Sequence, residues 1–221
     1  MPITRAQVAR MIDHTMLAAY ATELDLRELC EEAAEHGFAS VTVNPVWTSF
    51  CAKKLAGTEV GIDACIGFPL GATSASMKVE EARDAVRAGA TEIDMVMNIG
   101  ALKSGYTRFV EQEIAAVVKA VKGIPVKVIL ECSYLSEDEK IAACLMSQRA
   151  GAAYVKTSTG FGNGGATLED VTLMKRTVGD ELGIKAAGGI RTLGDVLAMV
   201  QAGATRIGTS AGLKILEDAD A

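Results

Sequence analysis

Ala150-Gly151-Ala152-Ala153-Tyr154-Val155-Lys156-Thr157-Ser158-Thr159-Gly160 is one copy of a phrase that this chain repeats. Ala88-Gly89-Ala90 runs into Thr91-Glu92-Ile93-Asp94-Met95-Val96-Met97, and Ala202-Gly203-Ala204 into Thr205-Arg206-Ile207-Gly208. His36-Gly37-Phe38 before Ala39-Ser40-Val41-Thr42-Val43 is a looser copy. Each copy reads as a helix closed by glycine and a tight turn into an extended apolar run. Repetition at this spacing signals an array of like units.

Strand-like runs fall near 11–15, 40–44, 61–66, 92–97, 126–131, 153–157, 183–187 and 205–209. Between them lie helical patterns with apolar residues three and four apart, such as Val79-Ala82-Val86, Ile114-Val117-Val118-Val121, Ile141-Cys144-Leu145 and Val196-Met199-Val200. Strands alternating with helices, with no linker or low-complexity stretch, imply parallel pairing. The expected fold is α/β, a single (β/α)8 TIM barrel domain over residues 1–221, small beside the usual size of about 250 residues. An open doubly wound sheet would carry one Gly-rich fingerprint after its first strand, rather than a regular repeat.

Composition narrows the function. The 221 residues are 49% hydrophobic and 23% charged, an ordinary globular balance. A net charge of −6 argues against a nucleic-acid partner. Five cysteines without a Cys-x-x-Cys pair, and two histidines, give neither a disulfide framework nor a three-histidine metal site. The chain begins without an export signal and contains no apolar run of membrane-spanning length, so a cytoplasmic protein with no membrane association is the expectation.

In a barrel of this kind the chemistry sits at the C-terminal ends of the strands. Those ends carry Asp13 and His14, Asn44, Gly67, Asp94 and Asn98, Glu131, Lys156, Lys185, and Gly208 with Ser210. An unpaired buried lysine either costs several kcal/mol or sheds its proton. Two lysines on neighbouring strands, about 4.8 Å apart, bring two ammonium groups into direct interaction. Such a pair lowers the pKa of one amine and frees its lone pair for attack on a carbonyl, while a carboxylate such as Asp94 shuttles protons. Alternate strands share interior layers, which groups Asp94 with Lys156 and sets Lys185 one layer away. The competing reading pairs one lysine with Asp94 as a structural ion pair and turns the other to solvent; the residues alone leave both open. Lys127, early in its strand, reads as a paired structural lysine, and His14 as a structural hydrogen-bonder. Trp47 and the methionines read as packing.

A second constellation points to an anion. Thr157-Ser158-Thr159-Gly160-Phe161-Gly162-Asn163-Gly164-Gly165, Gly188-Gly189-Ile190-Arg191 and Gly208-Thr209-Ser210-Ala211-Gly212 follow the last three strands. Glycines let backbone amides approach an anion, and the loops after strands seven and eight are the usual phosphate seat of this architecture. No Gly-x-Ser-x-Gly elbow or Walker-type loop is present.

At these residues the chain resembles the deoxyribose-phosphate aldolase family of class I aldolases. The matching segments are Ile12-Asp13-His14-Thr15, Glu92 to Gly100, Val155 to Phe161, Lys185 to Arg191 and Arg206 to Ser210, so the resemblance spans nearly the whole chain. It implies reversible cleavage of 2-deoxy-D-ribose 5-phosphate to D-glyceraldehyde 3-phosphate and acetaldehyde, in deoxynucleoside catabolism and with neither metal nor organic cofactor. Carried over by position, Lys156 forms the imine, Lys185 lowers the pKa of Lys156 and joins Asp94 in proton transfer, and Gly160, Gly188, Gly189, Gly208 and Ser210 hold the phosphate. Arg191 joins this set from the loop reading. Asn44 stands where some members carry cysteine, and Ala211 where many carry a second serine, which removes one hydroxyl contact to phosphate. Dimers are common in the family, so the resemblance admits a homodimer, while the residues themselves leave the oligomeric state open. Another phosphate-binding barrel, an isomerase or a different Schiff-base lyase, would be preferred if the two lysines did not meet. A catalytically silent barrel would have no need of these buried charges.

Overall fold

The structure, a computed structural model, describes residues 3–219. Its strands are β1 (Ile12–Met16), β2 (Ser40–Val43), β3 (Gly61–Ile66), β4 (Glu92–Val96), β5 (Val126–Ile129), β6 (Tyr154–Lys156), β7 (Gly183–Ala187) and β8 (Arg206–Thr209). They pair in parallel in chain order, and β8 closes on β1 through Ile12 opposite Ile207 and Asp13 opposite Gly208. Helix α1 (Arg5–Ala9) precedes β1, and α2 (Glu23–His36), α3 (Thr48–Lys54), α4 (Ala75–Arg87), α5 (Ile99–Lys103), α6 (Thr107–Ala120), α7 (Glu137–Arg149), α8 (Leu168–Val178), α9 (Leu193–Ala202) and α10 (Gly212–Ala219) follow in the connections. The closed parallel barrel expected from the repeat is the one observed.

The repeated phrase does the same work each time. Gly37, Gly89, Gly151 and Gly203 take positive φ, at 67°, 107°, 81° and 117°. The amide that follows each glycine reaches back five residues: Phe38 to Ala33, Ala90 to Ala85, Ala152 to Ser147 and Ala204 to Met199, at 2.9–3.1 Å. This bond satisfies an orphan carbonyl of the helix end and aims the chain into the next strand. Thr22, Ser136 and Thr192 start α2, α7 and α9 with reciprocal capping boxes.

Strand alternation divides the interior into two parts. Val41, Ile62, Ile93, Met95, Val128, Val155, Ile184 and Ile207 pack outward against the helices in one apolar layer. Inside the barrel, where bulky aliphatics are usual, the alternate positions include Asp13, Ser40, Thr42, Asp63, Asp94, Lys127, Lys156 and Lys185, all buried. Helix α7 departs from the sequence pattern. Ala143, Cys144, Met146 and Ser147 form its buried face, while Leu145 is exposed. Among the described residues, no helix is long and apolar enough to cross a membrane.

Candidate active site

Lys156 is the last residue of β6 and is the register partner of Lys185 on β7. Both side chains run along the barrel interior to one atom: Lys156 Nζ and Lys185 Nζ each lie 2.7 Å from Asp94 Oδ2. The two nitrogens are therefore no farther apart than twice that distance, and the long lysine stems close the layer offset expected from strand alternation. The expected meeting of the two amines takes place at a shared carboxylate oxygen. A carboxylate oxygen bonds both, since like charges out of water require a counterion.

The two lysines differ in how their protons are used. Lys185 Nζ also lies 2.6 Å from Asp13 Oδ2 and 2.8 Å from Asp63 Oδ2, so three carboxylates occupy its three donors. Burial alone would pull its pKa down, but the three aspartates override burial and hold it well above the ordinary lysine value. Lys185 is a fixed ammonium with no lone pair to offer. Lys156 has Asp94 as its one carboxylate within ion-pair distance among the described residues, and it borders the cavity above.

Beneath these groups Lys127 Nζ sits 3.1 Å from Asp63 Oδ1, 3.0 Å from Asp94 Oδ1 and 2.5 Å from Glu92 Oε2. Arg206 reaches Asp13 Oδ1 at 2.7 Å and Glu92 Oε1 at 3.3 Å. Ser40 donates to Asp13 and Thr42 to Asp63, at 2.7 and 3.0 Å. Burial would raise Asp94 and Asp13. The neighbouring cations outweigh it and hold both carboxyls below the usual aspartate range. At Asp63, burial and repulsion from Asp94 outweigh Lys127 and Lys185, so its carboxyl is pushed up and is the readiest of the three to take a proton. The carboxylates of Asp13, Asp63 and Glu92 converge as metal ligands would. The ammonium of Lys127, in ion-pair contact with all three, occupies the position of the cation.

Above the charges opens a cavity of about 650 Å³, bordered by Lys156, by Thr159, Gly160 and Phe161 after β6, by Gly188, Gly189 and Arg191 after β7, by Gly208 and Ser210 at β8, and by the Met16–Tyr20 segment after β1. Two of these loops touch closely. Ala166 N donates to Gly188 O at 3.0 Å, and a Cβ at Gly165 would lie 2.2 Å from that oxygen.

A family model described as DeoC/LacD family aldolase matches residues 7–218. The chain belongs to this family. In this DeoC/LacD family aldolase, likeness to relatives runs almost end to end. A deoxyribose-phosphate aldolase of Caldanaerobacter subterraneus is 56% identical over 214 residues, covering 96% of this chain and 93% of the relative. That of Streptococcus sanguinis is 52% identical, covering 96% of each. Among solved structures, a deoxyribose phosphate aldolase from Aeropyrum pernix, described as a unique tetramer, superposes with a TM-score of 0.93 at 36% identity, covering 99% of this chain and 93% of that one.

The nine residues assigned to catalysis or phosphate meet in one place, whereas the strand-end residues His14, Asn44, Gly67 and Asn98 do not line the cavity. Lys156, Lys185 and Asp94 form the floor, and Gly160, Gly188, Gly189, Arg191, Gly208 and Ser210 border the cavity. Lys127 is paired, as its position in the strand implied, but its partners include Asp94 itself. His14 bonds Glu32 at 2.6 Å outside the barrel interior, and Asn44 donates to Leu17 O at 3.1 Å, steadying the loop after β1. Sequence reading passed over Asp63, Thr42, Glu92 and Arg206. The one available signal was a polar residue at the inward phase of each apolar strand.

Proposed function

We propose that the chain is a class I aldolase that reversibly cleaves 2-deoxy-D-ribose 5-phosphate to D-glyceraldehyde 3-phosphate and acetaldehyde, with Lys156 as the imine-forming residue. The observation that carries this reading is the division of labour at Asp94 Oδ2. Of the two amines bonded to that oxygen, Lys185 has all three donors committed to carboxylates, and Lys156 alone borders the cavity. An amine attacks a carbonyl only when unprotonated. Asp94 Oδ2 is the atom placed to take the Lys156 proton and pass it on.

Lys156 adds to the C1 aldehyde of the open-chain sugar, and loss of water leaves a protonated imine. The C3 hydroxyl then gives up its proton, the C2–C3 bond breaks, and its electron pair passes to C2 as an enamine with the imine nitrogen as sink. The C3 fragment leaves as D-glyceraldehyde 3-phosphate. Protonation at C2 and hydrolysis release acetaldehyde and restore Lys156. Asp94 handles these protons through water, and the fixed charge of Lys185 stabilises the electron-rich groups that form beside it. The phosphate lies against Gly160, Gly188, Gly189, Arg191, Gly208 and Ser210, where α10 begins directly after the last loop and presents its N-terminal end. Ala211 offers no hydroxyl to it, which removes about 1 kcal/mol of binding relative to a serine. The reading includes a cytoplasmic place in deoxynucleoside breakdown and assembly as a homodimer, checked by light scattering on the purified protein.

Borohydride reduction in the presence of acetaldehyde tests the chemistry. The expected product is N-ethyl-lysine at position 156, found by peptide mass spectrometry. Turnover without a label at Lys156 overturns the imine mechanism.

A further inference from the structure

Glu131 follows β5 and is the sole non-glycine with positive φ among the described residues, at φ 56° and ψ 63°. L-residues avoid this conformation unless the surroundings impose it. Here the backbone is tied on both sides to the end of β6: Leu130 N donates to Lys156 O and Cys132 N to Thr157 O, each at 2.9 Å. The left-handed turn between these bonds swings the buried side chain across to the loop that follows Lys156. Glu131 Oε2 accepts from Thr159 N at 3.2 Å and from the Thr159 hydroxyl in a short bond. Thr159 Oγ1 in turn accepts from Phe161 N at 3.0 Å. Gly162 lies flat on the carboxylate, where an added Cβ would sit 2.9 Å from Glu131 Cδ.

This relay has a consequence for the cavity. The amides of Thr159 and Phe161 are both occupied. The amide between them, that of Gly160, has no hydrogen-bond partner among the described residues, and Gly160 is exposed on the cavity wall with φ at 84°. We infer that Glu131 is a positioning residue: acting through Thr159, it occupies the flanking amides and holds the Gly160 amide free as a donor for the substrate's phosphate oxygen. Glu131 does not touch the substrate. The inference rests on the proposed placement of phosphate at Gly160, and it separates the two ends of the site. Imine formation depends on Lys156 and its charge cluster, whereas phosphate affinity depends on Glu131.

The test measures both ends in Glu131→Ala, Thr159→Val and Glu131→Gln. In Glu131→Ala, KM for 2-deoxyribose 5-phosphate and the inhibition constant for inorganic phosphate should both rise about tenfold or more, the weight of one hydrogen bond to a charged group. Formation of N-ethyl-Lys156 with acetaldehyde and borohydride should proceed at the parental rate. Thr159→Val breaks the relay without touching Glu131 and should give the same split, which keeps the test available if the alanine variant does not fold. Glu131→Gln retains an acceptor oxygen and should restore KM to within about threefold. Unchanged KM and phosphate inhibition in both Glu131→Ala and Thr159→Val overturn the inference. So does a fall in acetaldehyde trapping parallel to the loss of phosphate affinity, which would mark Glu131 as a general structural latch. Failure of the parent protein to form the adduct refutes the aldolase reading instead.

Discussion

Replacing Lys185 by methionine keeps an unbranched apolar stem but removes the terminal nitrogen and its charge, leaving Asp13, Asp63 and Asp94 each one donor short inside the barrel. Deleting one partner of a buried ion pair destabilises by about 3–5 kcal/mol, because the remaining charge is buried without compensation. That is a large share of a total stability of about 5–15 kcal/mol. At about 2–4 °C per kcal/mol for a chain of this size, the unfolding midpoint should fall by about 6–20 °C. The loss should also depend on pH. Asp63 already titrates above its ordinary value because burial and Asp94 repulsion win, and without Lys185 it rises further. A group whose folded pKa is raised contributes stability below its unfolded value, about 3.9, and loses that contribution as pH climbs through the folded value. In Lys185→Met the deficit should therefore be smallest near about pH 4–5 and grow toward pH 8. Thermal unfolding followed by circular dichroism across that range measures it. Turnover should collapse in the same variant and acetaldehyde trapping at Lys156 should slow. A midpoint equal to the parent's at neutral pH, or a deficit that widens toward acid, would refute the charge accounting. Near-normal turnover would remove Lys185 from the mechanism.

Further outcomes follow from the same contacts. Lys156→Arg keeps a cation on Asp94 but cannot form an imine, and should lower turnover by about 10³-fold or more while leaving no borohydride adduct. Gly165→Ala forces a Cβ to within 2.2 Å of the Gly188 carbonyl, so the loops after β6 and β7 must separate; KM for the sugar phosphate should rise more than kcat falls in steady-state assays. Lys78 and Glu113 form a wholly buried ion pair at 2.8 Å between α4 and α6. Lys78→Met should destabilise by about 3–5 kcal/mol in urea titration, and pairing it with Glu113→Leu should recover most of that loss. Dialysis against a chelator should leave turnover unchanged, since Lys127 and not a metal neutralises the carboxylates of Asp13, Asp63 and Glu92; loss of activity restored by one divalent ion would contradict this.

The sequence by itself determined the barrel and the position of its chemistry. Ala-Gly-Ala followed by an apolar run is a local instruction: a glycine that accepts positive φ ends a helix and starts a strand, and the same bond recurs at Gly37, Gly89, Gly151 and Gly203. Lys156, Lys185, Asp94 and the three glycine loops were legible because strand ends can be located from that rhythm. What only tertiary structure decided is which lysine borders the cavity and which is enclosed by carboxylates. Asp63 lies 122 positions from Lys185 and Asp13 farther still, and no periodicity links them. They meet because closure of β8 on β1 folds every inward-facing side chain toward one axis. There the carboxylates occupy all the donors of one amine and leave the other at the cavity. Glu131 was visible as a polar strand end, but its contacts were hidden for a related reason. Its left-handed backbone is imposed by bonds from β5 to the end of β6 on either side of it, and no local residue preference calls for it.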